Sequence, residues 1–396
     1  MRIASVSFSP LLRDARVHRV AEALSEAGHS VRVVARGPSP KTVAYDAALL
    51  PAYGSPSAQR LQLIIWNFPG SLLSQAAADL YWLPSIRRSA FRSALEFKPE
   101  LVICNDWSAL PIGALLKKQT GCHVIYDAHE FALEEHAHDW KWRLIVQANI
   151  REIEARYIRD CDHILVVSEG ISDALSDEYQ LRERPTVLRN VPNYQPGWPD
   201  FLSSPTTVLF HGLLRSERGL EELIRALPLW KGDGRLVLRG YGHDEYLGRL
   251  RRLAMGLGVG SRLSIEPPES PCALVAAASK AHIGYLALPP VNKHYEYALP
   301  NKLFEYLMAG LPILATPRQE IHKVLQNIGA GVFCELDPKD LSDTLNQLSS
   351  SELIEKSAAA VRARETLNWG QEKKKLLSLV EGFRPGGLLE TNHNAP

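Results

Sequence analysis

The residues of this chain best suited to chemistry lie in residues 299–316, which read LPNKLFEYLMAGLPILAT. Pro300 favours a helix that begins near Asn301, and the unpaired N–H groups and positive dipole end of a helix start attract anions. Lys302 lies in the same first turn. Glu305 follows about one turn later, where its carboxylate can bind paired hydroxyls. The motif predicts a ligand that carries phosphates beside sugar hydroxyls.

A helix without any ligand fits the same pattern. Leu303, Phe304 and Leu307 have the spacing of a stripe that faces the core, and the charged residues lie elsewhere on the helix. The pattern alone leaves both interpretations open.

A second candidate anion site follows the predicted strand that ends at His211, in GLLRSERGLEELIRAL. Gly212 opens this loop, and Arg215 and Arg218 precede a helix that starts near Gly219. Two cations at this place can balance the charge that builds on a diphosphate leaving group. Arginines in front of a helix are also common in solvated loops, so a loop without a ligand is equally compatible with the sequence.

A glycine pair, Gly240 and Gly242, follows the strand LVLRG and would let the backbone approach a ligand closely. The third glycine of a dinucleotide-binding pattern is missing, because Glu245 occupies its position. The spacing therefore disfavours an NAD site.

In the first half of the chain, YDAHE places His129 just after a predicted strand. An imidazole there can orient a hydroxyl and support developing positive charge. The alternative is a structural histidine that the main chain satisfies. Glu130 is its neighbour in the motif.

Three charged residues lie where the first predicted strand leads into the first helix: Arg13, Asp14 and Arg16. Arg13 or Arg16 can hold an acidic acceptor. Asp14 as the N-cap of the helix is the competing interpretation.

No metal site is predicted. His129, Glu130 and His136 lack the His-Glu-x-x-His spacing that places two imidazoles on one helix face, which disfavours a zinc hydrolase. The sequence 160–162, Asp-Cys-Asp, precedes a predicted strand and is interpreted as a turn from helix to strand.

Composition limits the kinds of partner. The net charge of +1 provides no global field for nucleic acid, so that anion recognition must be local. The five cysteines are scattered and contain no Cys-x-x-Cys pair, which predicts reduced, mostly buried thiols of a cytosolic protein: Cys104, Cys122, Cys161, Cys272 and Cys334.

The start of the chain has no signal-peptide pattern, because Met1 leads directly into the apolar RIASVSF, and export is not expected. Residues 61–78 contain Pro69 and Gly70 and do not fit a membrane span. An interfacial segment is a further possibility, but core aromatics are the favoured interpretation. The residues concerned are Trp66, Phe68, Leu72, Leu73, Tyr81 and Trp82, followed by Arg87 and Arg88.

Short apolar runs alternate with helical periods, which predicts an α/β protein with parallel sheets. Strands are predicted at Ile3 to Phe8, Ser30 to Ala35, Leu61 to Trp66, Leu101 to Asn105, His123 to Asp127, His163 to Ser168, Thr207 to His211, Arg235 to Arg239, Leu263 to Glu266, Ile283 to Ala287, Pro312 to Ala315 and Val332 to Glu335. Helices are predicted at Ala15 to Ala27, Trp107 to Gln119, Trp140 to Arg159 and Gly170 to Tyr179, and from near Gly219, Asp244, Pro271, Asn301, Arg318 and Asp340.

The alternation breaks at residues 191–205, where Pro, Gly, Asn and Ser predict a linker. This divides the chain into two Rossmann-like domains, residues 1–190 and 206–369. A cleft between them, outside the carboxyl ends of the strands, is the expected ligand site. The polar residues 387–396 are expected to be a disordered tail.

Over about residues 1–380, these motifs resemble the retaining GT-B glycosyltransferases of family 4. In that family the second Glu of a Glu-x7-Glu pattern holds the donor ribose, and the resemblance gives this role to Glu305. The position of the first Glu is Tyr297, and Glu296 lies one residue out of register. In the family's phosphate loop, Leu213 replaces an Arg and Arg218 stands at the Lys position.

The resemblance also implies roles for the other candidates. The donor would contact Gly212, Gly240, Gly242, Glu266 near the base, Asn301, Lys302, Leu303 and Glu305. The acceptor side would include Arg13, Asp14 and Arg16, which resemble the Arg-Asp-x-Arg-Val variant of some family branches. It would also include His129 and Glu130, since the His of the Asp-x-His-Glu motif contacts the transferred sugar or nearby backbone in many relatives. A C-terminal segment at about residues 370–386 would cross back to the first domain.

The function implied by the resemblance is retaining transfer of a hexose-type unit from a nucleoside diphosphate sugar, most often UDP-linked. The acceptor would be a glycan, a lipid-linked glycan or a small molecule. The implied location is the cytoplasm, with the inner face of the membrane as the place where a lipid-linked acceptor would be reached. His129, Arg215, Arg218 and Glu305 would carry catalysis without a metal or other cofactor. A nucleotide-sugar epimerase of the same fold and a non-catalytic nucleotide-sugar-binding partner subunit remain alternatives.

Overall fold

Two parallel β-sheets organise the chain. A computed structural model describes residues 1–40, 42–51, 81–137, 139–196, 199 and 206–384. One compact unit contains Met1–Arg189, Asn292–His294 and the residues from Lys373 onward, and the other contains Asn190–Val291 and Tyr295–Glu372. The predicted strand at residues 61–66, most of the predicted linker and the tail at 387–396 lie outside the described residues.

The first unit contains a seven-stranded sheet in the order β3-β2-β1-β4-β5-β6-β7, with all neighbours parallel. Its strands are β1 (Arg2–Pro10), β2 (Ser30–Arg36), β3 (Asp46–Leu50), β4 (Leu101–Asn105), β5 (His123–Ala128), β6 (His163–Val166) and β7 (Thr186–Val187). The sequence did not predict β3 and β7. β3 reads DAALL and is partly exposed at the sheet edge, while β7 has two residues, so neither carries a strong apolar signal.

The α-helices of the first unit lie at Ala15–Glu26, Ser85–Glu96, Leu110–Thr120, Trp140–Trp142, Ala148–Tyr157, Glu169–Tyr179 and Trp369–Glu381, the last of which begins in the second unit. The long helix predicted from Trp140 changes geometry along its length, because Arg143–Gln147 is π-helical and Ile158–Asp160 is a 3₁₀ turn. Ser168, predicted as the end of a strand, instead caps a helix by accepting a hydrogen bond from the Ile171 N–H.

The second unit contains a six-stranded parallel sheet in the order β10-β9-β8-β11-β12-β13. Its strands are β8 (Thr207–His211), β9 (Arg235–Arg239), β10 (Leu263–Glu266), β11 (Ile283–Leu286), β12 (Ile313–Ala315) and β13 (Gly331–Phe333), all at the predicted places. The α-helices lie at Leu220–Ala226, Asp244–Gly256, Leu274–Ala278, Lys293–Tyr297, Asn301–Ala309, Gln319–Ile328, Pro338–Gln347 and Ser350–Ala363.

Both sheets have the doubly wound strand order, which reverses between β1 and β4 in the first and between β8 and β11 in the second. Ligands of such sheets bind outside the carboxyl ends of the strands at this reversal. Asp106 and His129 follow the ends of β4 and β5, and Gly212 follows the end of β8. The topology thus brings the predicted residues His129 and Gly212, and also Asp106, to the carboxyl edge of their own sheets.

A close contact between helix and sheet positions the helix Asn301–Ala309, called the Asn301 helix below. Gly284 in β11 has no Cβ, and a Cβ built there would overlap the ring of Tyr306. The ring therefore lies flat against the strand, and its hydroxyl donates to the Leu209 carbonyl, 3.2 Å away.

The cysteines, one of the aromatic residues and the helix lengths bear on further predictions. All five cysteines are free thiols, and Cys104, Cys122 and Cys334 are buried. Tyr81 is a core residue, with the Arg87 guanidinium 4.1 Å from its ring centroid, which fits the favoured interpretation for this one aromatic. The residues of that segment at positions 66, 68, 72 and 73 lie outside the described residues. Within the described part of the chain, no helix is both long and apolar enough to cross a membrane.

Candidate functional site

A cavity of ≈ 360 Å³ lies at the carboxyl edge of the second sheet. It is framed by the loop after β8, the loop after β9 and the start of the Asn301 helix. Its walls are formed by His211, Gly212, Leu213, Arg239, Gly240, Tyr241, Pro268, Glu269, Leu274, Asn301, Lys302 and Glu305. Five predicted donor residues line it: Gly212, Gly240, Asn301, Lys302 and Glu305.

The Asn301 helix packs in the core with one face and lines the cavity with its amino end. Pro300 takes the N-cap position in an extended conformation, so the helix begins at Asn301 as predicted. Leu303 and Phe304 are buried in the core, which makes Leu303 a packing residue rather than a cavity wall. One helix face therefore anchors the element while its amino end faces the cavity.

Lys302 is the centre of a group of positive charges. Its Nζ lies 3.7 Å from the centroid of the Phe210 ring. Burial is the largest cause that lowers the pKa of Lys302 to about 7; the charges of Arg218 and Arg215 contribute to this lowering, and Glu305 opposes it. The positive charges of Arg218 and Arg215 therefore act on Lys302, which lines the cavity, and a bound anion would relieve this repulsion.

The glycine pair packs one loop against the other. Gly240 has φ +150°, and a Cβ built there would overlap the carbonyl oxygen of Gly212. The Gly212 N–H donates to the Arg239 carbonyl at 2.9 Å, and the Leu214 N–H donates to the Tyr241 carbonyl at 2.6 Å. From the sequence, this glycine spacing was predicted to let the backbone approach a ligand. The structure gives it a first use in holding together the two loops that frame the cavity.

Glu266, predicted near the base, is engaged by Arg239. The Arg239 Nε and Nη2 donate to Glu266 Oε2 at 3.0 and 2.8 Å. Arg239 lines the cavity and Glu266 does not, whereas Glu269 does. Arg239 was not predicted from the sequence, because its contact with Glu266 arises only when β9 pairs with β10.

Glu296, the acid one residue out of register, has a structural task. Its Oε1 accepts from Arg318 Nη1 at 2.9 Å, and its Oε2 accepts from the Gln319 N–H at 3.0 Å. It therefore caps the start of the helix Gln319–Ile328. This use competes with any role of Glu296 in place of the acid absent at Tyr297.

Glu305 has a partner that the sequence analysis did not identify. His211, the last residue of β8, places its Nε2 2.8 Å from Glu305 Oε2, an ion-pair distance without the alignment of a hydrogen bond. The His211 side chain is 2% exposed and that of Glu305 is 22% exposed. The available signal was a polar residue at the carboxyl end of an otherwise apolar strand.

In the first unit, His129 follows β5 as predicted and lies among carboxylates. Burial opposes its protonation, but the charges of Asp127, Asp106 and Glu130 outweigh this effect and raise the pKa of His129. Its Nδ1 is buried and has no hydrogen-bond partner among the described residues, so the main chain does not satisfy this ring nitrogen there. Burial in turn raises the pKa of Glu130.

Asp106 was not found from the sequence. It follows β4 in a backbone conformation that is rare for residues other than glycine, with φ +70°. Its carboxylate accepts from the Trp107 N–H at 2.7 Å, and its own N–H donates to the Asp127 carbonyl at 3.0 Å. Burial raises the pKa of Asp106 against the opposing charge of His129.

The acceptor-side predictions near the start of the chain need a correction. Arg16 is 5% exposed, and its Nε and Nη2 each donate to a different oxygen of Asp127 at 2.7 Å. Its Nη1 donates to the Leu188 carbonyl at 2.9 Å, so Arg16 is used within the fold and is not available for an acceptor. Asp14 is the N-cap and accepts from the Val17 N–H at 3.0 Å. Arg13 is exposed.

The predictions about residues 160–162 and about metal binding concern sites for which no ligand is predicted. Asp162 accepts from Lys117 Nζ and from the Val124 N–H, both at 2.8 Å, which fits the interpretation of residues 160–162 as a turn. Among the residues that the structure describes, no group of three or more His, Cys, Asp and Glu side chains could hold a metal ion.

Comparison with known families covers both halves of the chain. Residues 14–191 match the glycosyl transferase 4-like domain, and residues 205–351 match the glycosyl transferases group 1. Together with the two doubly wound sheets, these matches define a GT-B glycosyltransferase. The chain belongs to the group 1 glycosyltransferases, as the sequence motifs indicated. No curated protein matches the chain in sequence.

Solved structures share the fold over nearly the whole chain. Sucrose-phosphate synthase from Thermosynechococcus elongatus has a TM-score of 0.72 at 15% identity, covering 96% of this chain and 98% of that one. HepE from Anabaena, in complex with UDP-glucose, has a TM-score of 0.70 at 14% identity over 96% and 99% of the two chains. WaaG, a glycosyltransferase involved in lipopolysaccharide biosynthesis, has a TM-score of 0.61 at 16% identity over 96% and 100%.

Proposed function

We propose that this glycosyltransferase moves a sugar from a nucleoside diphosphate sugar to an acceptor hydroxyl with retention of the anomeric configuration. The observation that carries the proposal is that a lysine and a carboxylate, Lys302 and Glu305, line the same cavity. Lys302, with Arg218 and Arg215 close enough to lower its pKa, supplies positive charge, and Glu305 lines the same cavity. A diphosphate flanked by a ribose has the complementary groups.

The diphosphate end is where the protein would accelerate the reaction. Negative charge grows on the leaving diphosphate as the glycosidic bond breaks, and cations that are already in place stabilise that charge. Arg215, Arg218 and Lys302 would do so, and the amino end of the Asn301 helix would add its N–H groups. Glu305 would accept hydrogen bonds from the ribose hydroxyls.

The sugar end would use His129. A ring nitrogen without a partner among the described residues can accept a hydrogen bond from a sugar hydroxyl, and a protonated ring can also donate one. The acceptor hydroxyl would attack from the face that the diphosphate leaves and would pass its proton to that phosphate. Arg13 and Glu130 remain the acceptor-side candidates after the correction at Arg16.

UDP is the proposed nucleotide because HepE, which shares the fold, was solved with UDP-glucose. The acceptor would be a glycan, a lipid-linked glycan or a small molecule, with the reaction on the cytoplasmic side and a peripheral membrane contact where the acceptor is lipid-linked. The donor would be a co-substrate, with no metal taking part.

The test is a binding and turnover assay with UDP-sugars. Saturable UDP release that persists in EDTA, with a product of unchanged anomeric configuration by NMR, is the expected result. Arg218→Ala should lower turnover at least tenfold, while Arg225→Ala, in the helix that follows, should not. An inverted product would overturn retention. Absence of UDP-sugar binding at millimolar concentration would overturn the donor assignment.

A non-catalytic binding subunit is the second candidate, because Glu296 is held by Arg318 and Tyr297 occupies the position of the family's acid. If the protein is such a binding subunit, it should bind a UDP-sugar tightly, transfer the sugar to no acceptor and not hydrolyse the UDP-sugar even slowly. Donor hydrolysis that Arg218→Ala abolishes would exclude it.

A further inference from the structure

His211 lies against Glu305, which would bind the ribose in the proposed chemistry, but His211 itself has no role in that chemistry. Glu305 faces the cavity, and His211 approaches one of its two oxygens to 2.8 Å. A carboxylate oxygen can only accept hydrogen bonds, so the contact is attractive when His211 Nε2 carries a proton.

The His211 ring is itself held firmly. It stacks on Tyr306, with ring centroids 4.5 Å apart and an interplanar angle of 30°. The His211 N–H donates to the Tyr306 hydroxyl at 3.0 Å, and that hydroxyl donates to the Leu209 carbonyl. Tyr306 in turn lies against Gly284, where no Cβ intervenes. The imidazole therefore has a fixed place behind Glu305.

We propose that His211 is a positioning residue that gives this protein its selectivity for ribonucleotides. It holds Glu305 so that the carboxylate meets the ribose hydroxyls, in the way that an outer partner orients a residue that contacts a ligand. This inference rests on the proposed function, in which Glu305 binds the donor ribose. The ligand groups that Glu305 would recognise in this position are the hydroxyls at the 2′ and 3′ carbons of the ribose.

The test compares UDP with 2′,3′-dideoxy-UDP by isothermal titration calorimetry. The native protein should bind UDP about tenfold or more tightly than the dideoxy analogue, because hydrogen bonds to a charged group are lost. His211→Asn, whose amide is too short to reach the place of Nε2, should lose most of this preference. His211→Gln, which reaches it, should keep the preference. Inorganic pyrophosphate, which has no ribose, should bind all three proteins equally.

Failure of this inference differs from failure of the proposed function. A native protein that binds neither nucleotide contradicts both. A native protein that prefers UDP, together with a His211→Asn variant that prefers it equally, contradicts only the role of His211. Loss of pyrophosphate binding in His211→Asn would also contradict it, since a general disturbance of the cavity would then explain the effect.

A measurement on the native chain avoids variants that do not fold. With ¹⁵N-labelled histidine, the Nε2 resonance of His211 should shift when UDP is added and should stay unchanged with pyrophosphate. An equal shift with both probes would overturn the proposed coupling to the ribose.

Discussion

Arg16 and Asp127 form a buried ion pair that joins the first helix to the end of β5, with two N–H···O contacts of 2.7 Å. The side chains are 5% and 1% exposed. His129 follows Asp127 by two residues, so the pair also fixes the strand end that carries the histidine. Arg16, which the sequence suggested as an acceptor-binding residue, thus supports the strand end that carries His129.

Breaking this pair should destabilise the first unit. Asp127→Asn leaves the Arg16 charge buried without its counterion, which costs about 3–5 kcal/mol in the free energy of unfolding. Urea denaturation measures the change. Asp46→Asn removes the partner of the more exposed Arg32 and should cost about 1 kcal/mol or less. Equal losses for the two variants would contradict the assigned importance of burial.

Donor binding should depend on pH through Lys302. In the ligand-free protein the pKa of Lys302 is about 7, which is below the usual value for lysine. A bound diphosphate would raise this pKa again. Below pH 7 the amine is protonated in both states and contributes no dependence. Above pH 7 binding takes up a proton, so the affinity for UDP should fall by up to about tenfold per pH unit.

Calorimetry in buffers of different ionisation enthalpy detects this proton uptake. Lys302→Arg should bind UDP with little pH dependence over the same range, because arginine stays charged. If the native protein and the Lys302→Arg variant show the same pH profile, the dependence arises elsewhere.

Glu154 should make the stability of the first unit depend on pH. Its carboxylate accepts from the Tyr126 and Tyr179 hydroxyls at 2.5 and 2.7 Å. Burial raises the pKa of Glu154 from 4.5 to about 7, against the lowering effect of these hydrogen bonds. The folded state therefore holds a proton that the unfolded state has lost, and stability falls as the pH rises from about 4.5 to 7.

Glu154→Gln isolates this effect. Relative to the native protein, the variant should gain about 3 kcal/mol in unfolding free energy between pH 4.5 and pH 8. Chemical denaturation at both pH values measures the gain, with Glu152→Gln on the same helix as the matched control. A constant difference between variant and native protein would rule out the titration of Glu154 as the cause.

Gly240 should not tolerate a side chain. Gly240→Ala forces the loop after β9 away from the Gly212 carbonyl, so the second unit should lose more than about 2 kcal/mol of stability and the cavity should lose UDP binding. Gly248→Ala, in the helix Asp244–Gly256, is the control. It approaches only the flexible end of Arg252 and should be neutral or stabilising by up to about 1 kcal/mol.

Local chemistry made much of this protein predictable from its sequence. The start of the Asn301 helix follows from Pro300, and β8, β9 and β10 follow from short apolar runs, because the period of burial is set within a few residues. The two weak strands, β3 and β7, lacked that signal. The family motifs added the class of enzyme, since they preserve residue types in order along the chain.

The sequence by itself determined the α/β class, the two Rossmann-like halves and the candidate residues Lys302, Glu305 and His129. Only the tertiary structure decided that Arg16 serves Asp127, that Glu296 caps a helix and that His211 stands behind Glu305. The physical reason is distance along the chain. Arg16 and Asp127 are 111 residues apart, and a pairing of that kind arises only when sheet order brings two strand ends together.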